Sequence, residues 1–233
     1  MNVLAIDTVT DACSVALSGT GDTILERFQI ESRGHSNLVL AMAEDVILEA
    51  GISRHDLNGI AFDSGPGSFT GIRIGLGVAQ GLALAFDLPL LGVSSLMALA
   101  EGSGVNAVLP AIDARMGEVY WGRLARNKES VEGWVWLDEP RVSTPAAVPA
   151  LVADEIGVGS GWDGYADAFG LSDTDAHLWL PGRCPRASDI ARIACRCFDS
   201  GVKSGGQIVS PIYIRDAVTG PTQQESPRRP EIS

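Results

Sequence analysis

The sequence predicts an α/β protein assembled from two related halves, and three observations lead there. The tripeptide Ala5-Ile6-Asp7 returns as Ala111-Ile112-Asp113, each time closing an apolar strand and turning into another. A strand running into a glycine turn also occurs twice, as IAFDSGPG and as EIGVGSGW. Composition changes after Gly104: all five tryptophans and all three tyrosines lie beyond it, and the aromatics before it are phenylalanines. Together these describe a duplication in which each half runs strand, strand, strand, helix, strand, helix.

The elements follow in order. NVLAID (2–7) reads as a short buried strand, and ACSVALS (12–18) alternates as its hairpin partner. TILERFQI (23–30) supplies a third strand, and a helix runs from His35 to Ala50, closed by Gly51. NGIAFDS (58–64) is a strand, Ser68 to Phe86 a helix, and PLLGV (89–93) a strand. Ser94 or Ser95 then caps the helix SLMALAEG. In the second half EVYWGRL is a strand, and Ala187 to Ser200 form an amphipathic helix on the stripe Ile190, Ile193, Ala194, Cys197 and Phe198. SPIYIR (210–215) reads as a final edge strand. The halves divide as 1–104 and 105–215, and residues 216–233 read as a disordered tail.

A chain of 233 residues with 45% hydrophobic and 20% charged residues can bury a real core. Its net charge of -12 repels phosphate backbones, so any RNA is expected to be held by another protein's positive surface. Cys13, Cys184, Cys195 and Cys197 form no CxxC pair and read as free thiols. The amino terminus shows no signal peptide, and no apolar run reaches the ~20 residues of a membrane span. The expected location is the cytoplasm.

The stretch DSGPGSFTGIRIGLG (63–77) is the obvious place to look for chemistry. A phosphate loop of the GxxxxGK[ST] type needs a lysine, and none occurs between Met1 and Arg126. The GxGxxG fingerprint fails because Gly71 falls one position late. A GxSxG elbow fails because Pro66 stands two before Ser68. Asp63-Ser64-Gly65 leaves a triad open, with His35, His55 or His177 as the third member. No HxxxH pair offers a zinc site.

Helix packing is the remaining reading. Glycine inside a helix costs up to about 1 kcal/mol against alanine, so its repetition demands a compensating contact. Gly71, Gly75, Ala79 and Ala83 form one i, i+4 row, and Gly77, Gly81 and Ala85 a second. One row is expected on the parent sheet and the other against a neighbouring helix. The helix from His35 carries Val39, Met42, Val46 and their neighbours over roughly 160° of arc, wider than the ~100° one core face needs. That helix is either sandwiched within its own protein or forms with the second helix an apolar docking surface, expected to include His35, Leu38, Val39, Met42, Val46, Phe69, Thr70, Gly71, Arg73 and Gly75. Arg73 is expected to give a polar contact at its rim.

AIDTVTDACSVAL, DSGPGSFTGIRIGLGVAQGLAL, GVSSL and AIDARMGEVYW resemble the TsaB (YeaZ) family over most of residues 1 to about 215. The resemblance implies two ribonuclease-H-like halves of the acetate kinase, sugar kinase, heat-shock ATPase and actin type. It implies a non-catalytic subunit that binds and activates the paralogous TsaD transferase, which puts threonylcarbamoyl on the tRNA adenosine beside the anticodon. It also implies the TsaE ATPase as a further partner, tRNA met only through the complex, and a homodimer through the same helices. In active superfamily members a glycine-bearing turn after the aspartate approaches phosphate. Here Asp7 is followed by Thr8-Val9-Thr10, and Asp113 by Ala114-Arg115, without that glycine. Asp7, Thr8 and Asp113 are therefore expected as vestigial nucleotide turns, with no cofactor, no metal, and weak nucleotide binding left open. The competing reading is a kinase-like or glycoprotease-like enzyme.

Overall fold

The computed structural model describes residues 1–19, 23–30, 34–171, 173–202 and 214. Its framework is two five-stranded sheets. The first uses β1 (Val3–Asp7), β2 (Ala12–Ser18), β3 (Ile24–Ile30), β4 (Gly59–Asp63) and β5 (Leu90–Val93), in the order β3-β2-β1-β4-β5. The second uses β6 (Ala107–Arg115), β7 (Glu118–Arg126), β8 (Trp134–Ser143), β9 (Ile156–Val158) and β10 (Trp179–Leu180), in the order β10-β9-β6-β7-β8. Read from either end, the two orders are one order. Three antiparallel strands come first, and the next two join parallel to the first strand. This is the ribonuclease-H-like arrangement, present twice.

The helices are α1 (His35–Glu49), α2 (Phe69–Phe86), α3 (Ser95–Ser103), α4 (Ser160–Tyr165) and α5 (Ala187–Asp199). Alternation along the strands sorts the layers, because successive side chains take opposite faces. Val3 and Ala5 of β1 point inward, to a core shared with α3, α5 and the inner face of the second sheet. Leu4 and Ile6 point outward, to the core beneath α1 and α2. On the second sheet Val108 and Ile112 point inward, while Leu109 and Ala111 meet Trp162 and Trp121 outside.

The two inner helices are exchanged between the sheets. Helix α5, from the end of the chain, lies on β1, β2 and β4, while α3 lies on β6 and β7. The predicted stripe of α5 is buried as expected. Polar anchors stitch the exchange: Ala187 N donates to Ser14 Oγ at 2.9 Å, and Arg186 pairs with Glu26 at 2.7 Å. Glu101 of α3, almost fully buried, accepts from Arg126, Arg196 and the Trp134 indole.

The outer cover of the second sheet departs from the predicted repeat. Where the first half has α1, the second has a three-residue 3-10 turn, Pro145–Ala147. Opposite α2 stands α4, six residues long, followed by further 3-10 turns. The reason lies in β8's connection, where Pro145 precedes and Pro149 interrupts the apolar run 146–153, breaking a helix there. The predicted edge strand 210–215 and the tail 216–233 lie outside the described residues, apart from Ile214.

Candidate partner-docking site

Helix α2 leaves β4 through Gly65-Pro66-Gly67, and its course is fixed from the first turn. Ser68 N donates to Val9 O at 2.8 Å, and the Ser68 side chain accepts from Gly71 N as the helix cap. That bond lays the start of the helix across the turn after β1. Thr8 Oγ1 then donates to Gly71 O at 2.7 Å. A methyl group on Gly71 would stand 2.0 Å from Thr8 O, and one on Gly75 would stand 2.8 Å from Thr8 Oγ1. The row Gly71, Gly75, Ala79 and Ala83 is therefore the face that α2 lays on its own sheet.

The second row behaves differently. Gly77 and Gly81 are exposed, and a Cβ on either would meet nothing within 4 Å. Beside them Leu84 is 86% exposed, with Ala85 also open to solvent. Helix α1 packs beside α2 and shows Leu40, Ala41 and Leu48 outward, the last 80% exposed. At the amino-terminal end Phe69 is 45% exposed and carries the Arg73 guanidinium 3.5 Å from its ring centroid. Along its whole length α2 has a mean hydropathy of 1.4 with 28% of the stretch buried, so by length and composition it could cross a membrane. Here it is one layer of a folded domain, with its apolar outer side uncovered.

This geometry corrects the predicted residue set. Phe69, Thr70 and Arg73 are on the surface, and Leu38 is half-buried. Val39, Met42 and Val46 are buried in the chain's own core, as are Gly71 and Gly75 against the Thr8 turn. His35 is buried at the mouth of the cleft between the halves. Sequence reading found both small-residue rows but placed on the docking surface the one that the fold buries. The missing information was the Ser68–Val9 bond, which decides how α2 is rotated about its axis.

The cleft between the halves encloses about 1010 Å³, lined among others by Val9, Asp11, Asp113, Arg115, Asp163 and Arg183. The two acid turns make the same local bond: Asp7 Oδ1 accepts from Val9 N at 3.0 Å, and Asp113 Oδ1 from Arg115 N at 2.8 Å. Their surroundings differ. Asp7 and Thr8 are fully buried and do not line the cleft: α2 sits on Thr8, and the Asp7 carboxyl takes the inter-sheet side. As nucleotide turns these two residues are closed. Asp113 reaches the cleft, accepts from Tyr165 Oη at 3.0 Å and pairs with Arg115 at 3.2 Å. Arg115 also faces Asp11 at 3.8 Å, across the seam between the halves.

Among the described residues the Asp63-Ser64 pair offers no nucleophile with its base. Ser64 is buried and donates to Val93 O at 3.0 Å, so the Asp63-Ser64 pair is no triad. Burial pushes the Cys13, Cys184 and Cys197 thiols up to about 11, away from the reactive thiolate. Among the described residues no three His, Cys, Asp or Glu side chains gather to hold a metal ion.

Comparison with known proteins adds the lineage. A family model described as tRNA N6-adenosine threonylcarbamoyltransferase (TsaD) matches residues 29–135. The tRNA threonylcarbamoyladenosine biosynthesis protein TsaB of Escherichia coli is 41% identical over 229 residues, covering 94% of this chain and 96% of that one. Its Haemophilus influenzae counterpart is 33% identical over 230 residues, with 94% and 95% covered. Among solved structures, YeaZ from Pseudomonas aeruginosa has a TM-score of 0.81 at 35% identity, covering 91% of this chain and 99% of that one. A second Pseudomonas aeruginosa structure, described as an uncharacterized protein with similarity to peptidase YEAZ, has a TM-score of 0.83 at 35% identity over 92% and 99%. This chain belongs to the TsaB family of tRNA threonylcarbamoyladenosine biosynthesis proteins.

Proposed function

We propose that this protein is a non-catalytic subunit that docks a TsaD-type transferase through the outer side of α1 and α2 and so supports threonylcarbamoyl modification of tRNA. One observation carries the reading: an 18-residue apolar helix leaves a glycine–alanine row and Leu84 uncovered in an otherwise well-packed fold. Helix pairs approach to 8–10 Å depending on the side chains at the contact, and a row without side chains favours the near end. An exposed apolar stripe bordered by Glu44, Asp45 and Glu49 has the anatomy of a binding surface with a polar rim. The fitting occupant is another apolar helix pair, which a paralogous ribonuclease-H-like partner carries in the same place. A second copy of this chain would use the same surface, so the homodimer competes with the transferase complex.

The closed Asp7 turn, the raised thiols and the absence of a nucleophile–base pair among the described residues support a role without turnover of its own. No cofactor is proposed. The net charge of -12 supports contact with tRNA through partners rather than alone, and a TsaE-type ATPase is proposed as a further member of the assembly.

The test is Leu84→Glu, a change at a residue that touches little of its own chain. Melting temperature is expected to stay unchanged, while affinity for the transferase subunit, measured by calorimetry, falls at least tenfold, about 1.4 kcal/mol. Reconstituted tRNA modification should fall with it. Binding at the original affinity would remove α2 from the interface, and modification by the isolated chain would overturn the non-catalytic role.

A further inference from the structure

Strands β1 and β4 are parallel neighbours with Ile6 opposite Phe62. The next residues, Asp7 and Asp63, therefore stand side by side at the carboxyl ends of the two strands. The alternation that sends Ala5 and Ala61 into the inter-sheet core sends both carboxyl groups the same way. Both are fully enclosed, at 0% and 1% exposure. One oxygen of each has an ordinary use. Asp7 Oδ1 accepts from Val9 N at 3.0 Å, and Asp63 Oδ1 accepts from Gly65 N at 2.8 Å and Ser95 Oγ at 2.5 Å. The other oxygen of each, Oδ2, is buried and meets no donor.

Two ionised carboxylates in this position would leave two uncompensated charges in a medium of low dielectric and would repel each other. A single proton removes both difficulties, because a neutral carboxyl can donate to its neighbour. We infer that Asp7 and Asp63 hold one proton between them, Asp7 donating to Asp63, and that this pair is the pin fixing the turns that lead into β2, α2 and α3. Each of those turns hangs from the pair by a named bond: Val9 N, Gly65 N and Ser95 Oγ. The Ser95 bond also explains why Ser94, at the cap position of α3, makes no side-chain cap while Ser95 is engaged elsewhere.

The donors Val9 N, Gly65 N and Ser95 Oγ favour an ionised carboxyl, but burial outweighs them, and the titratable neighbours add negative charge. From β2 come Ser14, opposite Asp7, and the Cys13 thiol, which Asp7 helps to push up. From β3 comes the Glu26 carboxylate, held by Arg186, and before α5 stands the Cys184 thiol. Burial first, then the charge of Asp63, holds Asp7 well above the usual carboxylate range. Burial likewise pushes Asp63 up to about 7. A carboxyl raised on folding contributes stability that is present at low pH and lost as pH rises through its folded value. The pair gives up the Asp63 proton near neutrality, and above it the one remaining proton, on Asp7, keeps the pin closed. It operates whichever partner docks on α2.

Two measurements test it. Infrared spectra at about pH 8, above the value of Asp63, should still show one protonated-carboxyl band in the native protein. Asp7→Asn should lack that band while keeping a donor toward Asp63. Asp189, pushed up to about 6, is ionised there and adds no band. The melting temperature at this pH should fall less in Asp7→Asn, whose amide still donates, than in Asp7→Ala. No band in the native protein, an unchanged band in Asp7→Asn, or an equal fall in the two variants would overturn the proposal. Should Asp7→Asn not fold, the native spectrum decides between the same outcomes.

Discussion

The two sheets share one strand order but are covered in opposite ways. The outer face of the first carries two long helices, α1 and α2, and much of their apolar surface stays open. The outer face of the second carries short turns that close it over β6 and β7, while Val135 and Leu137 of β8 stay exposed. Trp162 plugs it, donating its indole N–H to Leu109 O at 2.7 Å and stacking on Phe169 with centroids 4.2 Å apart. Long regular helices present whole faces, of which a sheet can bury only one. Short irregular segments bend until their large side chains are spent inward. The duplicated framework therefore yields one half suited to docking and one that serves as a self-contained support. The acid turns repeat the contrast, with Asp7 buried between the sheets and Asp113 open to the cleft.

The contrast can be broken most severely at the plug. Trp162→Ala should cost about 3–5 kcal/mol of stability by chemical denaturation, because it empties the second outer core and orphans the Leu109 carbonyl. Transferase affinity per folded molecule should be unchanged. Next comes Gly71→Leu, whose first side-chain carbon would collide with Thr8 O. Overpacking against backbone should cost about 3 kcal/mol, and the loss would appear in folding before binding.

Gly81→Leu sharpens the comparison from the other row. Its side chain would enter open space, and leucine is the better helix former, so stability should rise by up to about 1 kcal/mol. Partner affinity should still drop at least tenfold, since the added side chain holds the helices apart. A stable variant that binds normally would show that this row is not the contact. The smallest effect belongs to Arg115→Ala. Its pairs with Asp11 and Asp113 are largely exposed, so the loss should stay within about 1 kcal/mol by thermal denaturation.

Much of this was legible in the residues themselves. The repeated Ala-Ile-Asp, the strand alternation and the glycine turns determined two like halves, and the first-half strands fell within a residue or two of their predicted places. The small-residue rows of α2 and the stripe of α5 were equally plain, because helical period follows from local geometry. The outer helix that the repeat predicted for the second half is missing, because Pro145 and Pro149 interrupt the apolar residues between 144 and 155.

What only the tertiary structure decided is which face goes where. A periodic pattern says that a helix has two small-residue rows; it does not say how the helix is turned about its axis. That rotation comes from contacts distant in sequence, Ser68 with Val9 and Gly71 with Thr8, and it moved Gly71 and Gly75 from the surface to the interior. The exchange of α3 and α5 between the sheets is of the same kind, as is the pairing of Asp7 with Asp63. Each depends on residues that the chain separates and the fold brings together, while hydrophobic periodicity records only what lies within a few turns.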